Sequence, residues 1–289
     1  HDVWRGAAPM ADRRSSHTAT ALAGGNVLVV GGSSSVGAEV YDPGSDAWAP
    51  TGPMAAFARQ SHTATRLEDG RVLVVGGQGY HPQMVEIYDP SSGTWSGVGP
   101  APGSIGRALH TATRLPDGRV LVAGGFDVNT LTELASAALY DPCTSTWAPA
   151  APLLAPRVGH EATLLKDGRV LVVSGTSGGW VMGTAELYDP EADAWTPAAS
   201  MHYERFSPTA TLLKTGEVLV VGALFPTREA ELYDPKEDVF ELTAFPVVAR
   251  VGHSATRLLD GRVLLAGGDG GEVGAIASAE IYRPAHRPE

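Results

Sequence analysis

Short apolar runs separated by turn residues recur along the whole chain, and their form predicts β-strands. The run Val72–Val75 is an example: it follows an Asp-Gly pair, Asp69 and Gly70, and it ends in a glycine pair, Gly76 and Gly77. Apolar runs of this length between turn residues are typical of strands that are covered on both faces. An Asp-Gly pair between two apolar runs is a strong hairpin signal. The pattern therefore predicts closely packed antiparallel strands.

The whole pattern occurs six times. Each copy begins with an arginine, and three residues later comes an anchor residue that is followed by Thr-Ala-Thr or a variant of it. The anchors, spaced by 45, 48, 50, 48 and 45 residues, are His17, His62, His110, His160, Pro208 and His253. A regular period of this length indicates a repeat architecture such as a solenoid or a propeller.

Each copy predicts four strands. The anchor segment forms the first, the apolar run forms the second, and a Glu-x-Tyr-Asp-Pro segment such as Glu86–Pro90 forms the third. The fourth strand contains an aromatic residue, which is Trp48, Trp95, Trp147, Trp195 or Phe240. Six four-stranded antiparallel blades predict an all-β fold, a six-bladed β-propeller. We expect a single domain over residues 1–289, with blades that begin near residues 14, 59, 107, 157, 205 and 250.

The sixth copy ends shortly after Tyr282, without an aromatic fourth strand. The segment Asp2–Met10 supplies the missing piece, because it aligns with Asp46–Met54 almost position for position. We therefore predict that residues 1–10 give the outer strand of blade 6 and that Trp4 lies beside the strand that ends at Tyr282. Closure of this kind leaves no unpaired sheet edge.

A glycine pair, a spaced tyrosine and then a tryptophan resemble the kelch repeat. The repeat is similar to those of bacterial kelch proteins and of the galactose oxidase central domain. Its sequence is His-Thr-Ala-Thr-x-Leu-x-Asp-Gly-Arg-Val-Leu-Val-x-Gly-Gly. The resemblance implies the propeller fold and leaves the function open, because kelch propellers include enzymes, scaffolds and binding modules. Copper-radical chemistry of the galactose oxidase type is not expected, because the only cysteine, Cys143, lies on the face opposite the variable loops.

Charge and hydropathy exclude two classes of partner. A net charge of −11 does not suit a protein that binds nucleic acid or a membrane surface through clustered Lys and Arg. No apolar run approaches the roughly 18 residues that cross a bilayer. If a signal peptide was cleaved before residue 1, the protein is secreted or periplasmic, and otherwise it is cytoplasmic. We expect a monomer with no cofactor and no metal.

Two charged positions recur with the repeat and share one face of the predicted ring. The arginines that begin the copies are Arg14, Arg59, Arg107, Arg157, Arg205 and Arg250. The glutamates that open the third strands are Glu39, Glu86, Glu186, Glu231 and Glu280. One interpretation is a set of Arg–Glu pairs that tie the first strand to the third. The other is a ring of arginines that attracts an anionic ligand to the channel mouth. Ala138 replaces the glutamate in the third copy, so we expect Arg107 to be the least compensated arginine.

The loop after each glycine pair lies on the same face and carries aromatic and histidine residues that the repeat does not explain. With the loop into the fifth blade, these loops add candidate ligand-binding residues to the six arginines: Tyr80, His81, Phe126, Asp127, Trp180, Tyr203, Phe206, Phe225 and Asp269. Binding residues concentrate on loops that a rigid scaffold holds. The candidates for proton transfer are His202, Glu204 and His81.

Two neighbouring copies depart from the repeat. Ser174 replaces the first residue of the glycine pair in the fourth copy, and Pro208 replaces the anchor histidine in the fifth. Such a cluster of replacements indicates either a site that was built there or drift of the sequence.

We expect a binding or scaffold propeller that holds a small polar or anionic ligand, an acidic peptide or a protein partner at the arginine-bearing mouth. The alternative is a cofactor-free enzyme, an isomerase or mutarotase, a lyase or a cyclase, acting in the same mouth. The six-bladed sialic-acid mutarotases of bacteria, which this chain resembles in size and blade count, illustrate that alternative. The side chains available to a less favoured metal-dependent kelch enzyme are His81, His202, Asp127, Glu204 and Asp269.

Overall fold

The structure is a computed structural model that describes residues 7–32, 37–52, 54, 59–79, 85–100, 106–222, 228–270 and 274–284. These residues form strands and turns, and no helix among them is long and apolar enough to cross a membrane. The chain divides into two compact units. The first consists of residues 1–132 and 137–150, and the second of residues 133–136 and 151–289.

The first unit contains three four-stranded antiparallel sheets, one for each of the first three copies. Sheet 1 consists of β1 (Thr18–Ala21), β2 (Val27–Val30), β3 (Ala38–Asp42) and β4 (Ala47–Pro50). Sheet 2 consists of β5 (Thr63–Arg66), β6 (Val72–Val75), β7 (Val85–Asp89) and β8 (Thr94–Val98). In the third copy the strands are β9 (Arg107–Ala108), β10 (Thr111–Arg114), β11 (Val120–Ala123), β12 (Phe126–Asp127), β13 (Thr132–Glu133), β14 (Ala137–Asp141) and β15 (Thr146–Ala150). Of these, β10, β11, β14 and β15 form sheet 3.

The second unit contains the sheets of the last three copies. Sheet 4 and its hairpin consist of β16 (Glu161–Leu164), β17 (Val170–Val173), β18 (Thr176–Ser177), β19 (Trp180–Val181), β20 (Ala185–Asp189) and β21 (Ala194–Ala198). Sheet 5 consists of β22 (Thr209–Leu212), β23 (Val218–Val221), β24 (Ala230–Asp234) and β25 (Val239–Leu242). Sheet 6 is described as β26 (Ser254–Arg257), β27 (Val263–Ala266) and β28 (Ala279–Tyr282). The predicted four-stranded meanders are thus confirmed in five sheets, and six sheets are consistent with six blades.

The second strands of sheets 2 and 5 lie in the core, and each packs against a neighbouring sheet on both sides. On β6, Val72 and Val74 join the apolar cluster of sheet 1, whereas Leu73 and Val75 join the cluster of sheet 3. This division follows from the alternation of side chains along a strand. The first strands of consecutive sheets lie side by side within each unit: β5 lies between β1 and β10, and β22 lies between β16 and β26. The apolar run is therefore covered on both faces, as predicted.

The repeated tyrosines and tryptophans hold each outer strand on its sheet. In sheet 1 the rings of Tyr41 and Trp48 are tilted, with centroids 5.0 Å apart. The Tyr41 hydroxyl donates a hydrogen bond of 2.7 Å to Asp46, a turn residue with a φ of 51°. Equivalent aromatic pairs occur in sheets 2 to 5. Since these side chains pack against one another within the sheets, they are not available to form a binding site.

Ala8 contacts the outer strand of sheet 1 in the same way that Ala151, the residue after β15, contacts the outer strand of sheet 4. Its amide donates to Asp46 Oδ1 at 2.9 Å, and its carbonyl accepts from Trp48 Nε1 at 2.8 Å. Ala151, which follows β15 in sequence, makes the same two bonds to Asp193 and Trp195. The predicted closing strand itself, with Trp4, lies outside the described residues, so the closure of blade 6 stays a prediction.

That closure can be tested with Trp4→Ala. If Trp4 covers sheet 6, the variant loses about 2–4 kcal/mol of unfolding free energy, near the lower end of what burial of a large aromatic residue contributes. Urea unfolding measures the difference, with Trp180→Ala as the control because Trp180 is 80% exposed. Equal unfolding midpoints for wild type and Trp4→Ala would contradict the prediction.

The anchor histidines connect the first strands of neighbouring sheets. His62 Nε2 lies 2.9 Å from Thr18 Oγ1, and His253 Nε2 lies 3.0 Å from Thr209 Oγ1. Both histidines are buried. Burial, together with the charge of Arg59, lowers the pKa of His62 to about 3. Burial also lowers the pKa of His253 to about 4. These histidines are therefore neutral in the folded protein at physiological pH.

A neutral buried histidine makes the fold sensitive to acid. The pKa of His62 is lower in the folded chain than the unfolded value of 6.5. Its contribution to the free energy of unfolding is therefore complete above pH 6.5. It is lost as the pH falls toward 3, by at most about 1.4 kcal/mol per pH unit. We expect the stability advantage of wild type over His62→Asn to shrink as urea unfolding is repeated from pH 7 to pH 4. A constant advantage over that range would show that His62 does not titrate in this way.

Candidate functional site

Five of the repeated arginines form buried ion pairs with the repeated glutamates. Nitrogen–oxygen distances are 2.6–2.8 Å, and no arginine of these pairs has a side chain more than 3% exposed. The pairs are Arg14–Glu39, Arg59–Glu86, Arg157–Glu186, Arg205–Glu231 and Arg250–Glu280. The structure thus shows the Arg–Glu ion pairs that one of the two sequence interpretations predicts. A role of the arginines in ligand binding stays a prediction.

Four of the five pairs connect three parts of their sheet, as Arg205 shows. Its Nη1 donates to the carbonyl of Gly222, at the end of the second strand, and its Nη2 donates to Glu231 Oε1 at 2.8 Å. The other oxygen of Glu231 accepts from the backbone amide of His202, in the loop that leads to Arg205. Corresponding bonds surround Arg14, Arg157 and Arg250. The ion pairs therefore fix the loops of this face.

Arg107 has a different environment, because Ala138 stands where the other copies have glutamate. Its Nη1 donates to the carbonyl of Gly124 at 2.6 Å. Burial lowers the pKa of Arg107 to about 10, against the attraction of Asp127. Burial acts to raise the pKa of Asp127, but hydrogen bonds from Thr130 and the Asn129 amide outweigh it and lower the pKa. Asp127 therefore fixes the hairpin beside Arg107.

The β18–β19 hairpin presents Trp180 at the surface. The Gly178 amide, in the turn, donates to Glu133 at 2.5 Å. Two glycines with positive φ, Gly178 and Gly179, make this tight turn possible. The Trp180 side chain is 80% exposed. A large aromatic side chain is thus held in water at the end of a short hairpin.

The loop 201–205 lies against the base of this hairpin. The Met201 amide donates to the carbonyl of Gly183 at 2.8 Å, and Met182 forms a backbone bridge with Arg205. The loop contains three of the predicted residues, His202, Tyr203 and Glu204, and all three are exposed. We call the hairpin 176–181 and the loop 201–205 together the hairpin–loop surface.

His202 is oriented by a buried carboxylate. Its Nδ1 lies 3.0 Å from Glu231 Oε2, while its side chain is half exposed. Phe206, by contrast, packs inward, where a Cβ on Gly159 would meet its ring at 2.7 Å. Asp269 forms an isolated backbone bridge with Val251 in the second unit, and Phe126 pairs with Ala108 in the first unit. Tyr80, His81 and Phe225 lie outside the described residues.

The junction between sheets 4 and 5 carries a functional candidate that the sequence reasoning missed, Glu161. It occupies the position of Thr18, Thr63 and Thr209, which bond to the anchor histidine of the next sheet. Glu161 keeps some solvent exposure. Burial nevertheless raises its pKa to about 7, despite a hydrogen bond from the Ala162 amide. The signal in the sequence was the string His-Glu-Ala-Thr in place of His-Thr-Ala-Thr.

Within the described parts of the chain, no group of three or more His, Cys, Asp and Glu side chains is placed to hold a metal ion. Cys143 is exposed, in the turn between β14 and β15.

Comparison with known proteins supports the kelch resemblance and defines the fold. The family model described as "Kelch motif" matches residues 109–154, which span sheet 3. A solved structure titled "Structure of YjhT" matches with a TM-score of 0.73 and 15% identity, over 94% of this chain and 95% of that chain. No curated protein matches significantly. The chain therefore contains a kelch motif and has the fold of a kelch-type β-propeller. Since 443 chains of solved structures match it significantly, the fold alone does not indicate a function.

The difference between paired and glutamate-free arginines gives a stability test. Arg59→Met leaves Glu86 buried without its cation, which costs about 3–5 kcal/mol. Arg107→Met leaves no such glutamate, because position 138 is alanine, so we expect a loss at least about 1.5 kcal/mol smaller. Urea unfolding of both variants at pH 7 measures the difference. Equal losses would show that Arg107 is held as strongly as Arg59.

Proposed function

We propose that the protein is a binding propeller that holds a peptide or protein partner on the hairpin–loop surface, with Trp180 as the anchor. The observation that carries this proposal is the 80% exposure of Trp180 on a braced hairpin. Tryptophan and tyrosine dominate binding energy at protein interfaces, because they bury a large area at a small cost in conformational entropy. Tyr203, which is 39% exposed, adds a second aromatic contact on the adjoining loop.

The charges of this surface support a neutral or basic partner over the acidic one that the arginines first suggested. The positive charge of Arg157 and Arg205 is buried against glutamates. Glu204 is exposed and Glu133 is partly exposed. An acidic peptide would meet these carboxylates and gain little from the buried guanidinium groups.

A cofactor-free enzyme, an isomerase, lyase or cyclase, is the second candidate, and the geometry of His202 supports it. The bond to Glu231 favours a proton on Nδ1, which leaves Nε2 as an acceptor on an exposed ring. Such a histidine can take a proton from a bound substrate. Turnover with a pH–rate profile that His202→Gln abolishes would favour this candidate over a binding module.

Trp180→Ala tests the proposed function. Because the side chain is exposed, we expect the variant to unfold at the wild-type urea concentration. We also expect it to bind a purified partner at least about 30-fold more weakly, which corresponds to an anchor residue worth 2 kcal/mol. The partner is first identified by affinity capture with quantitative mass spectrometry and then titrated by calorimetry.

The matched control is Leu259→Ala. Leu259 is 98% exposed in the β26–β27 turn, at the opposite end of the strands from the loops. It tests whether loss of any exposed apolar side chain weakens capture. If Trp180→Ala and Leu259→Ala bind every captured partner as wild type does, the hairpin–loop surface is not the binding site.

A further inference from the structure

Four junctions between consecutive sheets lie inside one unit, and three of them are built alike. At the junctions of sheets 1 and 2, 2 and 3, and 5 and 6, a threonine hydroxyl lies 2.9–3.0 Å from the anchor histidine of the next sheet. The first glycine of the pair borders the same imidazole. A Cβ on Gly31, Gly76 or Gly222 would lie 2.8–3.1 Å from the Cε1 of that ring. The ring therefore fills one space between a threonine and a glycine.

At the junction of sheets 4 and 5 all three of these positions differ. Pro208 replaces the histidine, Ser174 replaces the glycine and Glu161 replaces the threonine. The three changes fall in two different copies of the repeat, and yet they occupy the three positions that border one space at the other junctions. Drift in single copies would not place them at one junction, so the three replacements belong together.

Two of the changes account for each other structurally. Without an imidazole at position 208, the Ser174 side chain fits, and its hydroxyl donates to the carbonyl of Arg205. Ser174 keeps the left-handed conformation of the glycine that it replaces, with a φ of 70°. The serine is fully buried and hydrogen-bonded, so this part of the junction is satisfied.

Glu161 is not accounted for in this way. Thr163, two residues further along β16, donates to the carbonyl of Ala210 on β22, so Glu161 on the same face of the strand also points toward sheet 5. Among the described residues, its carboxyl receives a hydrogen bond from the Ala162 amide, and burial still raises its pKa to about 7. At three other junctions the threonine at this position has a hydrogen-bond partner for its hydroxyl, the anchor histidine. Burial disfavours the charged form of a carboxyl group, and the other copies have an uncharged threonine at this position. A glutamate that is present despite this cost indicates a functional role.

We propose that the junction of sheets 4 and 5 is a binding site for a small uncharged molecule that bears hydroxyl or carbonyl groups, and that Glu161 holds this molecule by hydrogen bonds. A protonated carboxyl both donates and accepts, which suits a hydroxyl or a carbonyl. The packed strands β17 and β22 contribute no titratable side chain. Of the neighbouring ionisable residues, His160 is buried and Arg205 is paired with Glu231. This site goes beyond the proposed function, since it needs neither Trp180 nor a macromolecular partner.

Two variants separate a binding site from a packing change. The triple variant Glu161→Thr, Ser174→Gly, Pro208→His restores the arrangement that the chain uses at its other junctions, so we expect it to fold with at least wild-type stability. The single variant Glu161→Gln keeps the size and the hydrogen-bonding groups and removes the titration. It also serves if the triple variant does not fold.

The probes are glucose, glycerol and acetamide as neutral molecules and methylammonium as a cation, observed by saturation-transfer NMR. We expect a neutral probe to bind wild type at pH 5.5 and to bind about 30-fold more weakly at pH 8.5, because the neutral fraction of an acid with a pKa of about 7 falls by that factor. The triple variant should lose this binding, and Glu161→Gln should keep it without the pH dependence.

Three results would overturn the proposal: binding of no neutral probe to wild type, equal binding by the triple variant, or binding of methylammonium alone that strengthens as the pH rises. The last result would identify a cation site. Trp180→Ala should leave binding of the probes unchanged, and the triple variant should leave capture of a macromolecular partner unchanged. The two proposals can therefore fail separately.

Discussion

The buried pair of arginine and glutamate is the interaction on which five of the six sheets depend. A guanidinium group removed from water needs a partner for its charge and acceptors for its donors, and around Arg205 the strands supply the carboxylate and acceptors for both Nη atoms. Around Arg205 the acceptors are Glu231, Gly222 and Glu229. The second oxygen of Glu231 then fixes the loop that carries His202. One ion pair thus joins the third strand, the end of the second strand and the loop before the first.

This arrangement separates the scaffold from the surface that varies. Because the charges are satisfied within the sheet, the hairpin after β17 and the loop before β22 can change in sequence without losing their anchorage. Trp180 and Tyr203 lie on these two segments, and the Trp180 side chain contributes little to packing because it is 80% exposed. A rigid framework with variable loops is the usual basis of binding proteins.

Much of the fold follows from the sequence, because the repeat supplies six aligned observations of the same blade. The buried second strands, the Tyr41–Trp48 type of contact and the four-stranded meanders are all set by local patterns. The depth of the arginines could not be predicted in the same way, since it depends on how sheets stack, and so two interpretations remained open. Glu161 was missed for the same reason: its importance depends on Pro208, 47 residues away in the chain and adjacent only in the fold.

The crowding at the glycine pairs also imposes an order on mutational change. While an imidazole is present, a side chain at the first glycine would approach its Cε1 to about 2.8–3.1 Å, as at Gly76 or Gly222, which overpacks the junction. Serine at such a position is tolerated only after the histidine has gone. Starting from the histidine and glycine of the repeat, the order of single substitutions with the least strain therefore replaces the histidine before it introduces Ser174. A return to the repeat must proceed in reverse, with glycine restored first.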